Sequence, residues 1–357
     1  MKKIFRFLIA TIIGLFLFWI IFRTTDIGEL WKAIKSCHLR WFALCIFSIL
    51  ISFFTRVIRW NFIVNSSENV SFRHLFTSTQ IGFMANFLLP GRIGEAIRAG
   101  MLTKFTLIPL SKSLTYVALD RTSDLLGLLM VLIFALIGFH PKQDIILPPD
   151  VLNITIPANL IQKTAFLTMT IIFLIIISCV LFYIYSRRFI TLINKGNKIL
   201  GEKIVHFIIR ISENIRDAIS MIKNPKAILG AGFFSCLTWG TFWLSYIFLF
   251  KAFDIQYPWY TPPVSITLLS ILISVPGAPG FIGQFHAGVI GGLVLTVPTV
   301  DINIARAIAI LAHGANFISV IVVGLICIYI EQLSTHPSAK KISNSTNQAP
   351  DLFKDYL

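Results

Sequence analysis

The sequence predicts an all-α, polytopic membrane protein with about six full spans and two re-entrant helical hairpins, or eight spans if both broken segments cross fully. Three observations carry this. Of the 357 residues, 56% are hydrophobic and 13% charged, where a soluble domain holds about 25% charged residues; the mean hydropathy is +0.80. Apolar runs of span length recur between short polar loops. Two further apolar stretches, 76–102 and 263–297, are broken by Pro–Gly pairs, and neither side of either break is long enough to cross about 30 Å of hydrocarbon alone.

The net charge of +15 fits Lys and Arg gathered in cytoplasmic loops and gives no reason to expect nucleic acid. The five cysteines have no metal-ligand or disulfide spacing. No P-loop, HExxH or GxSxG motif and no soluble catalytic block is present, so no cofactor or metal is expected.

Taken in order, Lys2, Lys3 and Arg6 precede an apolar run over 7–22. No small-x-small cleavage site follows, which favours an uncleaved first span with its N-terminus inside over a signal peptide. A second span covers 41–64, where Arg56 and Arg59 near the inner end suit snorkelling to headgroups. The broken segment 76–102 follows, then a span over 113–138 carrying Asp120, Arg121 and Asp124. Together 1–138 form a first membrane repeat. The stretch 139–162 has few basic residues and is expected to be an external linker. The second repeat, 163–330, holds a span to about 185, a basic cytoplasmic connection over 186–226, a span over 227–250, the broken segment 263–297 and a span over 304–330. Within the connection, Ile204, Ile208, Ile211, Ile215, Ile219 and Ile222 form a helical stripe, read equally as an interfacial helix on anionic lipid or as a helix docked on the bundle. The tail 331–357 is polar and is expected to be disordered and cytoplasmic. Both termini then lie inside the cytoplasmic membrane.

A helix that breaks in an apolar setting must satisfy its freed backbone groups, and charges at such a break mark candidate transport sites. In the first segment Pro90 and Gly91 are followed by Arg92, Gly94, Glu95 and Arg98. Positions 92, 95 and 98 would share one helix face. Gly91 and Gly94 would let backbone amides at a helix start approach an anion, with the arginines beside it. The alternative is an internal ion-pair cluster tying the hairpin to Asp120 and Asp124. Asn86, one turn before the break, can cap freed backbone groups. In the second segment Pro276 and Gly277 face Pro90 and Gly91, and Ile282, Gly283 and Gln284 face Ile93, Gly94 and Glu95. Gly280, Gln284 and His286 complete its candidates; a hydrogen-bonded structural role for His286 outweighs a proton relay. If each segment returns to its own side, each half crosses three times and the second half is inverted, which is a transporter pattern.

The run Asn86-Phe-Leu-Leu-Pro90-Gly91-Arg92-Ile-Gly94-Glu95-Ala-Ile-Arg98 resembles the signature of the flippase-like, lysylphosphatidylglycerol synthase transmembrane region family. Asp120-Arg121-Thr-Ser-Asp124 resembles that family's arginine–aspartate pair, and Pro276-Gly277-Ala-Pro279-Gly280 with Gly283 its second proline–glycine motif. The resemblance spans about 5–330. The second motif usually ends in glutamate, where this chain has Gln284. The fused aminoacyl-transferase domain of some members is missing, so the resemblance implies the membrane module and not synthase activity. Three readings follow: translocation of an anionic phospholipid or polyprenyl-phosphate-linked lipid across the membrane; a membrane enzyme using Glu95, Asp120 and Asp124 as acid–base groups on a lipid headgroup; and a scaffold for lipid- or envelope-synthesis proteins.

Overall fold

The computed structural model describes residues 2–141, 144–146, 155–195, 202–275 and 277–335. Among them the chain is helical apart from a two-residue antiparallel pairing, β1 (Ile145–Ile146) with β2 (Thr155–Ile156), inside the 139–162 linker. The helices are α1 (Lys2–Phe22), α2 (Ile27–Lys35), α3 (Leu39–Val64), α4 (Phe72–Leu88), α5 (Gly94–Thr106) and α6 (Leu110–Gly138). They continue with α7 (Ala158–Lys195), α8 (Glu202–Ile219), α9 (Pro225–Lys251), α10 (Thr261–Ser274), α11 (Gln284–Thr296) and α12 (Ile302–Thr335). Among the described residues, α3, α6, α9 and α12 are long and apolar enough to span a bilayer, and α1 with α2, bent by 88° at their junction, would make a fifth. Asp26 caps α2 through Gly28 and Glu29 N–H. The buried Arg306 of α12 holds the end of α1, donating from Nε to Ile21 O (2.9 Å) and from Nη2 to Thr24 Oγ1 (2.7 Å). A cation suits the carbonyl end of a helix.

Both broken segments are antiparallel hairpins. In the first, His74 of α4 stacks on Phe105 of α5, and Asn86 Nδ2 donates to Glu95 Oε1 (3.3 Å) beside the turn. In the second, Gly288 and Gly292 of α11 lie against Leu269 and Ser265 of α10. The arms hold 17, 13, 14 and 13 residues, roughly 20–25 Å each at 1.5 Å per residue, so none matches the four long helices.

The two turns share one backbone course over 89–92 and 278–281, and part at the next residue, where Ile93 is helical (ψ −22°) and Ile282 extended (ψ 137°). Leu89 and Ala278 are extended, at ψ 145° and 153°. Pro90 and Pro279 open a single 3₁₀ turn, Gly91 and Gly280 take φ 71° and 69°, and Arg92 and Phe281 both take φ 56°. The left-handed region favours glycine, which explains the Pro–Gly order. The register expected from the sequence is therefore corrected. Pro279–Gly280, not Pro276–Gly277, is the counterpart of Pro90–Gly91; Pro276 itself lies outside the described residues. Pro-Gly-Arg-Ile-Gly-Glu then faces Pro-Gly-Phe-Ile-Gly-Gln.

Contacts between helices follow a similar pattern in the two halves. α3 and α9 pack antiparallel: Trp41 stacks on Phe248, Thr238 Oγ1 donates to Thr55 Oγ1 (2.8 Å), and Phe62 stacks on Phe234. α4 packs on α12 as α10 packs on α6, and α5 packs on α6 as α11 packs on α12. The helix of the 186–226 connection, α8, lies along α6 and α7. It buries Val205, Ser212, Ala218 and Ile219, and Asn214 Nδ2 donates to Ser111 Oγ (2.6 Å). It is thus docked on the bundle. Of the expected tail, the described part continues α12 to Thr335; the rest lies outside the described residues.

Candidate functional site

Asp120 and Asp124 stand one turn apart on α6, so their carboxylates share a face. Arg59 of α3 bridges them, donating from Nε to Asp120 Oδ1 (2.8 Å) and from Nη1 to Asp124 Oδ1 (2.7 Å). Arg98 of α5 donates from Nη1 to Asp120 Oδ2 (2.6 Å), and its guanidinium lies 3.7 Å from the Trp60 ring centre. Arg121 reaches Asp120 Oδ2 (3.3 Å) and Asp124 Oδ2 (3.2 Å), and its Nε sits 3.7 Å from Glu95 Oε1. Trp239 Nε1 of α9 donates to Asp124 Oδ1 (3.0 Å). Arg59, Arg98 and Asp120 are at most 1% exposed and form a buried ion-pair knot. A planar five-donor guanidinium suits this forked geometry.

Arg59 therefore does not snorkel. Its helix turns this face to α6, where two carboxylates meet it. Arg56, three residues earlier, points the same way and lies between the rings of Phe83 and Phe242, 4.9 and 4.7 Å from their centres. The arginine row expected at 92, 95 and 98 does not form either. Arg92 has φ 56° and precedes α5, which starts at Gly94, so it projects from the turn and donates from Nη2 to Ile273 O (3.2 Å) on α10.

Beside the knot lies a cavity of about 460 Å³. Its charged and amide lining includes Arg56, Asn86, Arg92, Glu95, Arg121 and Asp124, with hydroxyls such as Thr122 and Ser270; Phe83, Phe87, Trp239, Phe242 and Phe281 supply aromatic surface. The charge balance decides its character. Three arginines, Arg59, Arg98 and Arg121, meet three carboxylates, Asp120, Asp124 and Glu95, and cancel. Among the described residues Arg56 makes no hydrogen bond or ion pair, and Arg92 has no acidic partner. Both line the cavity, which is left with two uncompensated cations.

Of the residues singled out in the sequence, Asn86, Arg92, Glu95, Arg121 and Asp124 meet at the cavity. Arg98 and Asp120 stand behind it. Asn86 caps no backbone; its amide serves Glu95. Gly94 is used for packing, because a side chain there would strike Gly82 O and Asn86 Oδ1. Of the glycines proposed for the site, Gly91 is the one that faces open space. In the second hairpin, Gln284 Nε2 donates to Leu272 O (3.0 Å) and Val275 O (3.1 Å), satisfying carbonyls freed at the end of α10 and lying over Gly277. Gly283 packs on Gly14 of α1. His286 is buried, edge-on to Phe18 and Phe22 and 4.9 Å from the His313 ring; His313 Nε2 bonds Gly280 O (2.6 Å). None of Gly277, Gly280, Gly283, Gln284 or His286 lines the cavity; the second hairpin offers it Ser270, Ile273, Phe281 and Phe285 instead. Sequence reasoning missed Arg56 and Trp239. The one available signal was the three-residue spacing of Arg56 from Arg59.

The family model of the lysylphosphatidylglycerol synthase TM region matches residues 5–324. The chain belongs to that family. Comparisons with curated proteins and with solved structures found no significant match. Membership makes this a lipid-related membrane module, and the apolar helices agree with a multi-pass membrane protein.

Proposed function

We propose that the protein translocates a lipid with an anionic headgroup across the cytoplasmic membrane, the headgroup passing through the Arg56–Arg92 cavity while the hydrocarbon stays in the bilayer. The observation that carries this is the pair of guanidiniums without an acidic partner on a largely apolar wall. Arg56 lies between the Phe83 and Phe242 rings, where an unpaired charge is costly and an arriving phosphate would relieve it; the exposed Arg92 would add a second contact. On this reading Arg59, Arg98 and Asp120 position the site and do not touch the lipid.

The same reading makes the two hairpins re-entrant and the two halves inverted repeats, with termini on the cytoplasmic side. Support comes from the shared turn geometry, the matching helix contacts and the antiparallel course of α3 and α9. Two equivalent helices that cross antiparallel imply a two-fold axis lying across them, as in inverted-repeat transporters. The acid–base reading loses ground because Asp120 and Asp124 already serve arginines and a tryptophan.

The test is headgroup transfer in reconstituted vesicles carrying a fluorescent phosphatidylglycerol. Arg56→Gln with Arg92→Gln should abolish transfer while the purified protein stays monodisperse. Undiminished transfer by the double variant would remove the proposal. A changed lipid product made by wild-type protein would favour the enzymatic reading instead.

A further inference from the structure

A second, apolar hollow of about 660 Å³ lies between α6, α7 and α8. Along α6 its floor runs from Ser111 through Leu114, Thr115, Ala118 and Leu119 to Thr122, roughly 16 Å at 1.5 Å per residue. Ile211, Ile215 and Ile219 of α8 form one wall and Ser178 and Phe182 of α7 the other. At its far end Ser111 Oγ accepts from Asn214 Nδ2 (2.6 Å). At its near end stands Thr122, which also lines the headgroup cavity.

We infer that this groove seats one hydrocarbon chain of the lipid whose headgroup occupies the Arg56–Arg92 cavity. The inference rests on the function proposed above and adds where the chain goes. A cationic compartment and an apolar one that meet at a single residue complement an amphiphile, not a water-soluble anion. Burying a chain on isoleucine, leucine and phenylalanine is favourable at about 0.8 kcal/mol per CH₂ relative to water. The gain relative to lipid is smaller, so the groove's task is to fix direction. It makes the α6–α7–α8 side the lateral door of the cavity. The isoleucine stripe of α8 is then a chain-facing wall.

Two photoreactive phosphatidylglycerols, one with its diazirine in an acyl chain and one with it on the headgroup, are incorporated into phosphatidylcholine vesicles with the full-length protein. The chain probe should label peptides holding 111–122 and 211–219, and the headgroup probe those holding Arg56 and Arg92. Ala118→Trp fills the groove from an exposed position and should cut chain labelling there several-fold without moving the headgroup label; Ile215→Trp repeats the test from the opposite wall. If the headgroup probe labels the cavity while the chain probe spreads evenly over the lipid-facing helices, the groove assignment falls and the translocation reading stands. If the headgroup probe misses the cavity, the reading of the site fails, and this inference with it.

Discussion

Replacing Asp120 by alanine tests the buried knot most directly. Asp120 accepts from Arg59, Arg98 and Arg121. After its removal Arg59 keeps Asp124, and Arg121 keeps Asp124 and Glu95. Arg98, 1% exposed, keeps no acidic partner among the described residues. Stranding a buried charge costs about 3–5 kcal/mol, a large part of the roughly 5–15 kcal/mol that holds a typical protein folded. The second arm of the experiment is Arg98→Met with Asp120→Asn. Exchanging a buried pair for apolar or neutral groups of similar size is often near neutral, so the double variant should be more stable than Asp120→Ala alone. Thermal unfolding of the detergent-purified protein, followed by tryptophan fluorescence, reads the difference. If Asp120→Ala unfolds with the wild type, or if the effects of Arg98→Met and Asp120→Asn simply add, the carboxylate is not bearing the burden assigned to it.

Glycine substitutions should separate packing from mere helix propensity. Gly94→Ala meets Gly82 O and Asn86 and should destabilise by about 1–3 kcal/mol, whereas Gly100→Ala, with nothing within 4 Å, should be neutral or stabilise by up to about 1 kcal/mol; thermal unfolding compares them. Gln284→Leu removes two donated hydrogen bonds and should cost about 0.5–1.5 kcal/mol for each, measured the same way. Gln284→Glu should be worse than wild type at neutral pH, because an ionised carboxylate cannot donate to Leu272 and Val275. Arg59→Lys should also lower stability, since one ammonium cannot reproduce the fork that spans Asp120 and Asp124.

The long apolar helices and both broken segments were legible because hydrophobic length and Pro–Gly punctuation are local signals. The cluster around Asp120 and Asp124 was legible as a group that must avoid lipid, yet its partners were not. Arg59 lies 61 residues from Asp120, and nothing local tells an arginine that snorkels from one that turns inward. Arg56 was misread for the same reason. The proposed arginine row failed because it assumed a helix already running at Arg92, where the chain is still in a left-handed turn. The register of the second break was missed because its first Pro–Gly pair was matched to Pro90–Gly91, although the gapless match of Pro-Gly-Phe-Ile-Gly-Gln to Pro-Gly-Arg-Ile-Gly-Glu was there to separate the two pairs. Gln284 was noticed as a departure from the family's pattern, but its role in holding the end of α10 depends on how closely the two arms approach.

The two turns are built alike but anchored differently. Gly280 O is gripped by His313 amid Phe285 and Phe317, where a lost bond finds no ready substitute. The first turn reaches across to α10 through the exposed Arg92 alone, a tie that water can replace at little cost, and Gly91 has free room around it. The second turn is therefore tied more firmly than the first, and displacing the chain at Gly91 should cost less than displacing it at Gly280.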